Sequence, residues 1–208
     1  MLSFLIALAA GSACAAAQGA PDSGPCPVAG AAADWRTIAT ADDRRRLRQW
    51  RDAWIEALAQ ARGGGHEADI AAEGALLEPD SALTGPMPPP GDYDCRTIKL
   101  GSPSDLLPYV AYPAFLCRIA VDGDRVAFTK LTGSQRPIGR LFADAERRLV
   151  FLGTMQLGDE RRAYRYGDDR ERNLAAVLER VGDRRWRLVF PYPHHESLVD
   201  VIELTPRD

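Results

Sequence analysis

From Tyr93 onward apolar side chains recur at every second position, and this period of two commits the C-terminal part of the chain to strands. Such runs occupy residues 93–100, 114–121, 125–131, 136–143, 148–157, 174–181, 185–191 and 197–204. Asp122-Gly123-Asp124 and Gly182-Asp183 are tight hairpin connections between them. Short strands joined in this way predict a mainly β (α+β) fold. Its form is an antiparallel β-meander or small barrel of about eight strands, with an N-terminal helical segment packed on it. Leu149-Val150-Phe151-Leu152 is apolar on both faces, which places that strand centrally or beneath a helix. Residues 161–173 are too polar to carry a period.

The N-terminal part reads differently. Residues 1–17 hold an apolar run followed by Ala15-Ala16-Ala17 and contain no charged side chain, the layout of a secretory signal peptide cleaved after Ala17. Acylation of Cys14 is the rival reading, but Gly11 stands where a lipobox calls for an aliphatic residue. Residues 18–34 are rich in Gly, Ala and Pro and read as a flexible linker. Residues 35–85 form the helical segment. Thr40 precedes Asp43 by three, close to a capping box, and Leu47, Trp50, Trp54, Leu58 and Ala61 then follow on one stripe until Gly63-Gly64-Gly65. A short second helix is expected over 69–77, interrupted at Gly74. The proline-rich run from Gly85 to Gly91 is a stiff connector into the β domain, residues 86–208.

Export places the remaining cysteines in an oxidising compartment. Cys95 and Cys117 each lie inside a strand-like run and are expected to pair, whereas Cys26 lies in the flexible leader. The net charge is -3, and the arginines alternate with acids, as in Asp42-Asp43-Arg44-Arg45-Arg46. That is a solvated surface, and it speaks against a nucleic-acid partner. After the leader no stretch approaches the length of a transmembrane helix.

The chain carries no Gly-x-Ser-x-Gly elbow, no phosphate-binding Gly-rich loop and no His-Glu-x-x-His helix. If residues 194–197 are extended, His194 and His195 point to opposite faces and cannot readily share a metal. His195 and Ser197 then share a face with Glu196 on the other, the nearest approach to a hydrolytic set. Ser134-Gln135-Arg136-Pro137 is a polar loop beside the sheet, and Pro108, Tyr109, Tyr112 and Pro113 read as an aromatic loop or lid.

Strand parity gives the sharpest candidate. Phe115, Cys117, Ile119 and Val121 share an apolar face, and across the hairpin Val126, Phe128 and Lys130 fall on that same face. Tyr93, Cys95, Thr97 and Lys99 share a face that the Cys95–Cys117 bridge turns inward. Both lysines of an arginine-rich chain therefore head toward the interior. A barrel mouth or cleft holding an anionic ligand, with Lys99 and Lys130 as its cations and Arg136 nearby, satisfies them. So does a bland arrangement in which each snorkels to water or pairs with an acid such as Glu160 or Glu196.

Several runs occur together: Ile98-Lys99-Leu100-Gly101, the stretch from Lys130 to Pro137, Phe151-Leu152-Gly153-Thr154, Leu157-Gly158-Asp159-Glu160, Arg185-Trp186-Arg187-Leu188-Val189, Glu196-Ser197 and Val201-Ile202-Glu203-Leu204. In these the chain resembles the bacterial family catalogued as domain of unknown function 4893, over Trp35 to Leu204. The resemblance implies an exported protein of Gram-negative bacteria and transfers no catalytic or binding residue. The reading is a periplasmic or secreted, non-enzymatic binding or accessory module needing no cofactor or metal. Its expected partner is an envelope protein or a small anionic ligand. The alternatives are an envelope hydrolase using His195, Ser197 and Glu196, or a protein–protein interaction or inhibitory module.

Overall fold

The computed structural model describes residues 34–104, 107–194 and 196–208. The signal peptide, the acylation site at Cys14, Cys26, most of the linker and His195 lie outside the described residues.

Period-two residues become eight antiparallel strands: β1 (Gly91–Leu100), β2 (Tyr109–Asp122), β3 (Arg125–Lys130), β4 (Gln135–Ala145), β5 (Arg148–Leu157), β6 (Asn173–Gly182), β7 (Arg185–Pro191) and β8 (Val199–Pro206). Each pairs with the next, and β8 returns to β1, closing a barrel with no free edge. Asp122 opposite Arg125 fixes the first hairpin, with Gly123 at φ 60°, a conformation that favours glycine.

Alternation divides each strand between two environments. Inward positions such as Tyr93, Cys117, Phe128, Phe151, Leu178, Leu188 and Leu204 fill the barrel with an apolar core. Gly139 and Gly153 face each other across β4 and β5, where a Cβ on Gly153 would lie 2.3 Å from the Ile138 carbonyl and 2.5 Å from the Phe151 ring. The Cys95–Cys117 disulfide forms within this core, its Cα atoms 5.8 Å apart on β1 and β2. The chain-entropy argument gives it roughly 3 kcal/mol for a loop of this size.

The helices cover part of the outer wall. α1 (Trp35–Ile38) and α2 (Ala41–Arg48) are each capped, Asp34 and Thr40 accepting from the backbone amides of Arg36 and Asp43. α3 (Trp50–Gly63) and α4 (Glu67–Glu73) follow, and Gly74 at φ 55° leads into one tight turn ending at Leu76. The stripe expected on one helix is thus split at Gln49. Leu47 joins Phe142, Val150 and Val177, whereas Trp54, Leu58 and Ala61 pack on Ile98, Leu100, Val189 and Val201. A closed wall curves away from a straight helix, so one rod cannot cover both patches, and the chain turns between them.

A buried ion pair ties the two layers together. Arg187 and Glu179 point outward from β7 and β6, and Arg187 Nη2 donates to Glu179 Oε2 at 2.7 Å. The same guanidinium lies 4.3 Å from the Trp54 ring centroid and donates to the carbonyls of Ala75, Leu76, Glu78 and Pro79. Burial pushes the Glu179 carboxyl up and the Arg187 guanidinium down, each only partly offset by the partner's charge.

Candidate functional site

One end of the barrel interior is polar. Following β1 inward, Tyr93 and Cys95 belong to the apolar core, while Thr97 and Lys99 lie beyond them toward the β1–β2 connection. On β3, Lys130 stands opposite Cys117 and so lies beside the disulfide. β8 contributes Asp200 opposite Lys99. The two lysines are 8% and 5% exposed, so the parity argument places both inside.

Their surroundings differ. Lys99 Nζ donates to Asp200 Oδ2 at 3.0 Å and lies 3.2 Å from Glu196 Oε2. Burial lowers its basicity, but the two carboxylates outweigh burial and hold its pKa above the ordinary lysine value. Lys130 has no carboxylate in contact among the described residues. Its ammonium sits 4.1 Å from the Phe115 ring centroid, a cation–π contact. Burial pulls its pKa down to about 8; Asp200 opposes that shift and Lys99 adds to it.

Between them lies a cavity of about 190 Å³, lined by Thr97, Lys99, Phe115, Lys130, Gln135 and Glu196 among others. Thr97 Oγ1 is buried with no hydrogen-bond partner. Tyr112 and Glu196, both exposed, line the same cavity at its rim. A smaller recess of about 60 Å³, lined by Met155, Leu157 and Leu174, adjoins Lys99 and Asp200.

Arg136 lies at this end but does not line the cavity. It points outward from β4 and donates to the carbonyls of Gly133, Leu157, Gly158 and Glu160, clamping two connections. Glu160 pairs with Arg172, so of the two acids expected near the lysines only Glu196 reaches one.

Two local expectations need correction. Tyr192 and Glu196 have φ of 45° and 73°, left-handed values that interrupt an extended path, and β8 begins at Val199. The shared-face argument for His195 and Ser197 therefore loses its footing. Ser197 Oγ donates to Asp200 Oδ1 at 2.5 Å, and Glu196 is engaged by Lys99. The aromatic loop also proves to be strand. Tyr109, Tyr112 and Pro113 belong to β2, where pairing with β1 shifts between Arg96 and Ile98, and Tyr109 stacks on His66 at 5.1 Å. A proline at a bulge leaves the ladder intact on both sides.

Sequence parity missed Asp200 because β8 is apolar on both faces, and it missed the significance of Thr97. A roomier hollow of about 380 Å³ lies between α1–α2 and the outer wall, lined by Trp35, Arg36 and Asp144 among others. There Trp35 Nε1 and Arg36 Nη2 both donate to Asp144 Oδ1, so those groups already have partners. Among the described residues no three His, Cys, Asp or Glu side chains are placed to hold a metal, and no helix is long and apolar enough to cross a membrane.

The profile of the family described as "Domain of unknown function (DUF4893)" matches residues 35–204. No curated protein and no solved structure matches the chain.

Proposed function

The chain belongs to the family of domain of unknown function 4893, and we propose that it is an exported, non-enzymatic binding module of the cell envelope whose barrel mouth takes a small monoanion. The observation that carries this reading is the buried Lys130 ammonium, without a carboxylate in contact among the described residues, beside the unpartnered Thr97 hydroxyl in one cavity. An isolated buried ammonium is strongly disfavoured, and so is a buried hydroxyl without a partner. A carboxylate-bearing ligand accepts from Nζ and relieves the ammonium, and a turn of the neighbouring Thr97 side chain, which lines the same cavity, would bring Oγ1 to it as a second donor. Lys99 is not free to do this, because Asp200 and Glu196 already neutralise it. Lys130 supplies the single charge to be matched, and the cavity volume of about 190 Å³ limits the ligand to a few heavy atoms.

Export is supported by the uncharged apolar leader of residues 1–17 and by the Cys95–Cys117 disulfide, a bond that persists in oxidising compartments. Native mass spectrometry of the protein isolated from the periplasm tests both halves of the reading. The expected spectrum shows cleavage after Ala17 and a non-covalent anionic adduct, lost on denaturation and absent from Lys130→Met. A folded wild-type protein with no adduct, even with acetate or formate in excess, would overturn the small-ligand reading in favour of a protein partner.

A further inference from the structure

The geometry points to Lys130 as a nucleophilic amine that captures a small oxo-carboxylate as an imine inside the barrel mouth. The inference rests on the reading above in one respect, that the cavity admits a small anion. It then assigns the ligand's second functional group.

The protein's two lysines line the same cavity but differ in their surroundings. Lys99 is held between Asp200 and Glu196, where its lone pair is occupied by a proton. Lys130 has an aromatic face on one side and the cavity on the other, with no carboxylate in contact to stabilise its proton among the described residues. A lysine becomes nucleophilic when an apolar site and a neighbouring cation disfavour its ammonium form. Both conditions hold, since Lys130 is 5% exposed and Lys99 shares the site, and together they outweigh the cation–π contact with Phe115. With its pKa lowered to about 8, roughly half of Lys130 is neutral at pH 8. At an ordinary lysine value, well under one part in a hundred would be.

The step balances without an oxidant or a reductant. The neutral amine attacks the carbonyl carbon, a C–N bond forms, and the carbonyl π pair moves to oxygen. Nitrogen releases one proton to water as oxygen takes one up, giving a carbinolamine. Protonation of its hydroxyl lets the C–O bond break and water leave, and the nitrogen lone pair closes the C=N bond. The ligand's carboxylate then lies beside the protonated imine, which restores the ion pair that Lys130 lacks, and Thr97 Oγ1 donates to it. Water reverses the sequence, so capture is reversible, as a carrier requires.

The composition makes the test clean, because Lys99 and Lys130 are the only lysines in the chain. The intact, oxidised protein is incubated with glyoxylate and cyanoborohydride from pH 6 to 10, and the modified sites are mapped by peptide mass spectrometry. Lys130 is expected to be modified at least about 10-fold faster than Lys99, with a rate that levels off near pH 8. Lys130→Arg keeps the charge but carries no nucleophilic amine, and should show no such label while remaining folded by circular dichroism. Equal labelling of both lysines, or none at Lys130, would overturn imine capture. Binding of glycolate, a carboxylate of similar size without a carbonyl, is then measured separately by native mass spectrometry. Glycolate bound but no imine formed would refute this inference and leave the anion site standing; neither would refute both.

Discussion

Replacing Lys130 by methionine should stabilise the protein, and the gain should depend on pH in a defined window. The side chains have similar volume, so the change chiefly removes an ammonium that is 5% exposed. Its pKa falls from 10.5 to about 8 on folding, which at about 1.4 kcal/mol per unit corresponds to a ceiling near 3 kcal/mol. Residual water in the cavity and the lost cation–π contact with Phe115 reduce this to about 1–2 kcal/mol net. Below pH 8 both folded and unfolded chains carry the proton, so the wild type bears the full cost. Between pH 8 and 10.5 the unfolded chain keeps the proton while the folded chain has lost it, so wild-type stability rises with pH. Above 10.5 neither state holds it and the cost is gone. Urea unfolding of both proteins without reductant, from pH 6 to 11, isolates Lys130 and the groups coupled to it, Lys99 and Asp200, in the difference between the two curves, because titrating groups remote from the mouth cancel. At pH 7 the variant should melt about 2–6 °C higher. A flat difference curve across pH 8–10.5, or a variant less stable at pH 7, would show that Lys130 has a counter-charge and that the reasoning about the mouth is wrong.

The same substitution at the other lysine should act in the opposite direction. Lys99→Met strips buried Asp200 of its cation and should cost about 2–4 kcal/mol in urea unfolding at pH 7. Arg187→Leu leaves the Glu179 carboxylate buried alone and the carbonyls after α4 without a donor, a loss of about 3–5 kcal/mol; adding Glu179→Leu should recover part of it in a double-mutant cycle. Gly153→Ala drives a Cβ against the Ile138 carbonyl at 2.3 Å and should lower stability by about 2–4 kcal/mol, seen as a fall in melting temperature.

How much of this was legible depended on whether a strand meets two unlike environments. Where one face is the barrel core and the other is water, as on β3 and on β2 from Phe115 onward, alternation gave the facing of the residues. The short turn at Gly123 then carried that parity across to Lys130. The Cys95–Cys117 pairing rested on each cysteine lying inside a strand-like run, and the bridge in turn gave β1 its inward face. Where the outer face lies beneath helices, alternation vanishes. β8 has Ile202 and Leu204 inside and Val199 and Val201 under α3, so the inward position of Asp200 could not be read. Arg187 was hidden for the complementary reason: at an outward position an arginine reads as solvent-facing until a helical layer is known to cover it. The break at Gln49 left no mark, because the residues on both sides continue one stripe. Left-handed backbone at Tyr192 and Glu196, neither of them glycine, interrupts the approach to β8, and no residue type there signalled it.

The fold itself explains why the candidate site is small and lies where it does. An eight-stranded barrel is just wide enough for its own inward side chains, and here aromatic rings such as Phe128, Phe151 and Phe190 occupy that space in edge-to-face contact. A ligand cannot lie in the middle of such a core. Part of the outer wall is sealed by the helical layer, and Arg187 is wholly committed to holding that layer in place. The mouth at Thr97, Lys99 and Lys130 is different, because inward positions there carry groups that an apolar core does not need and that a closed mouth would penalise. Lys99 is balanced by two carboxylates supplied from the loop and strand that close the barrel. Lys130, which lines the same cavity as Glu196, is left without a carboxylate in contact among the described residues. A methionine would serve stability better at this position, so an uncompensated amine there is better explained by something it must meet.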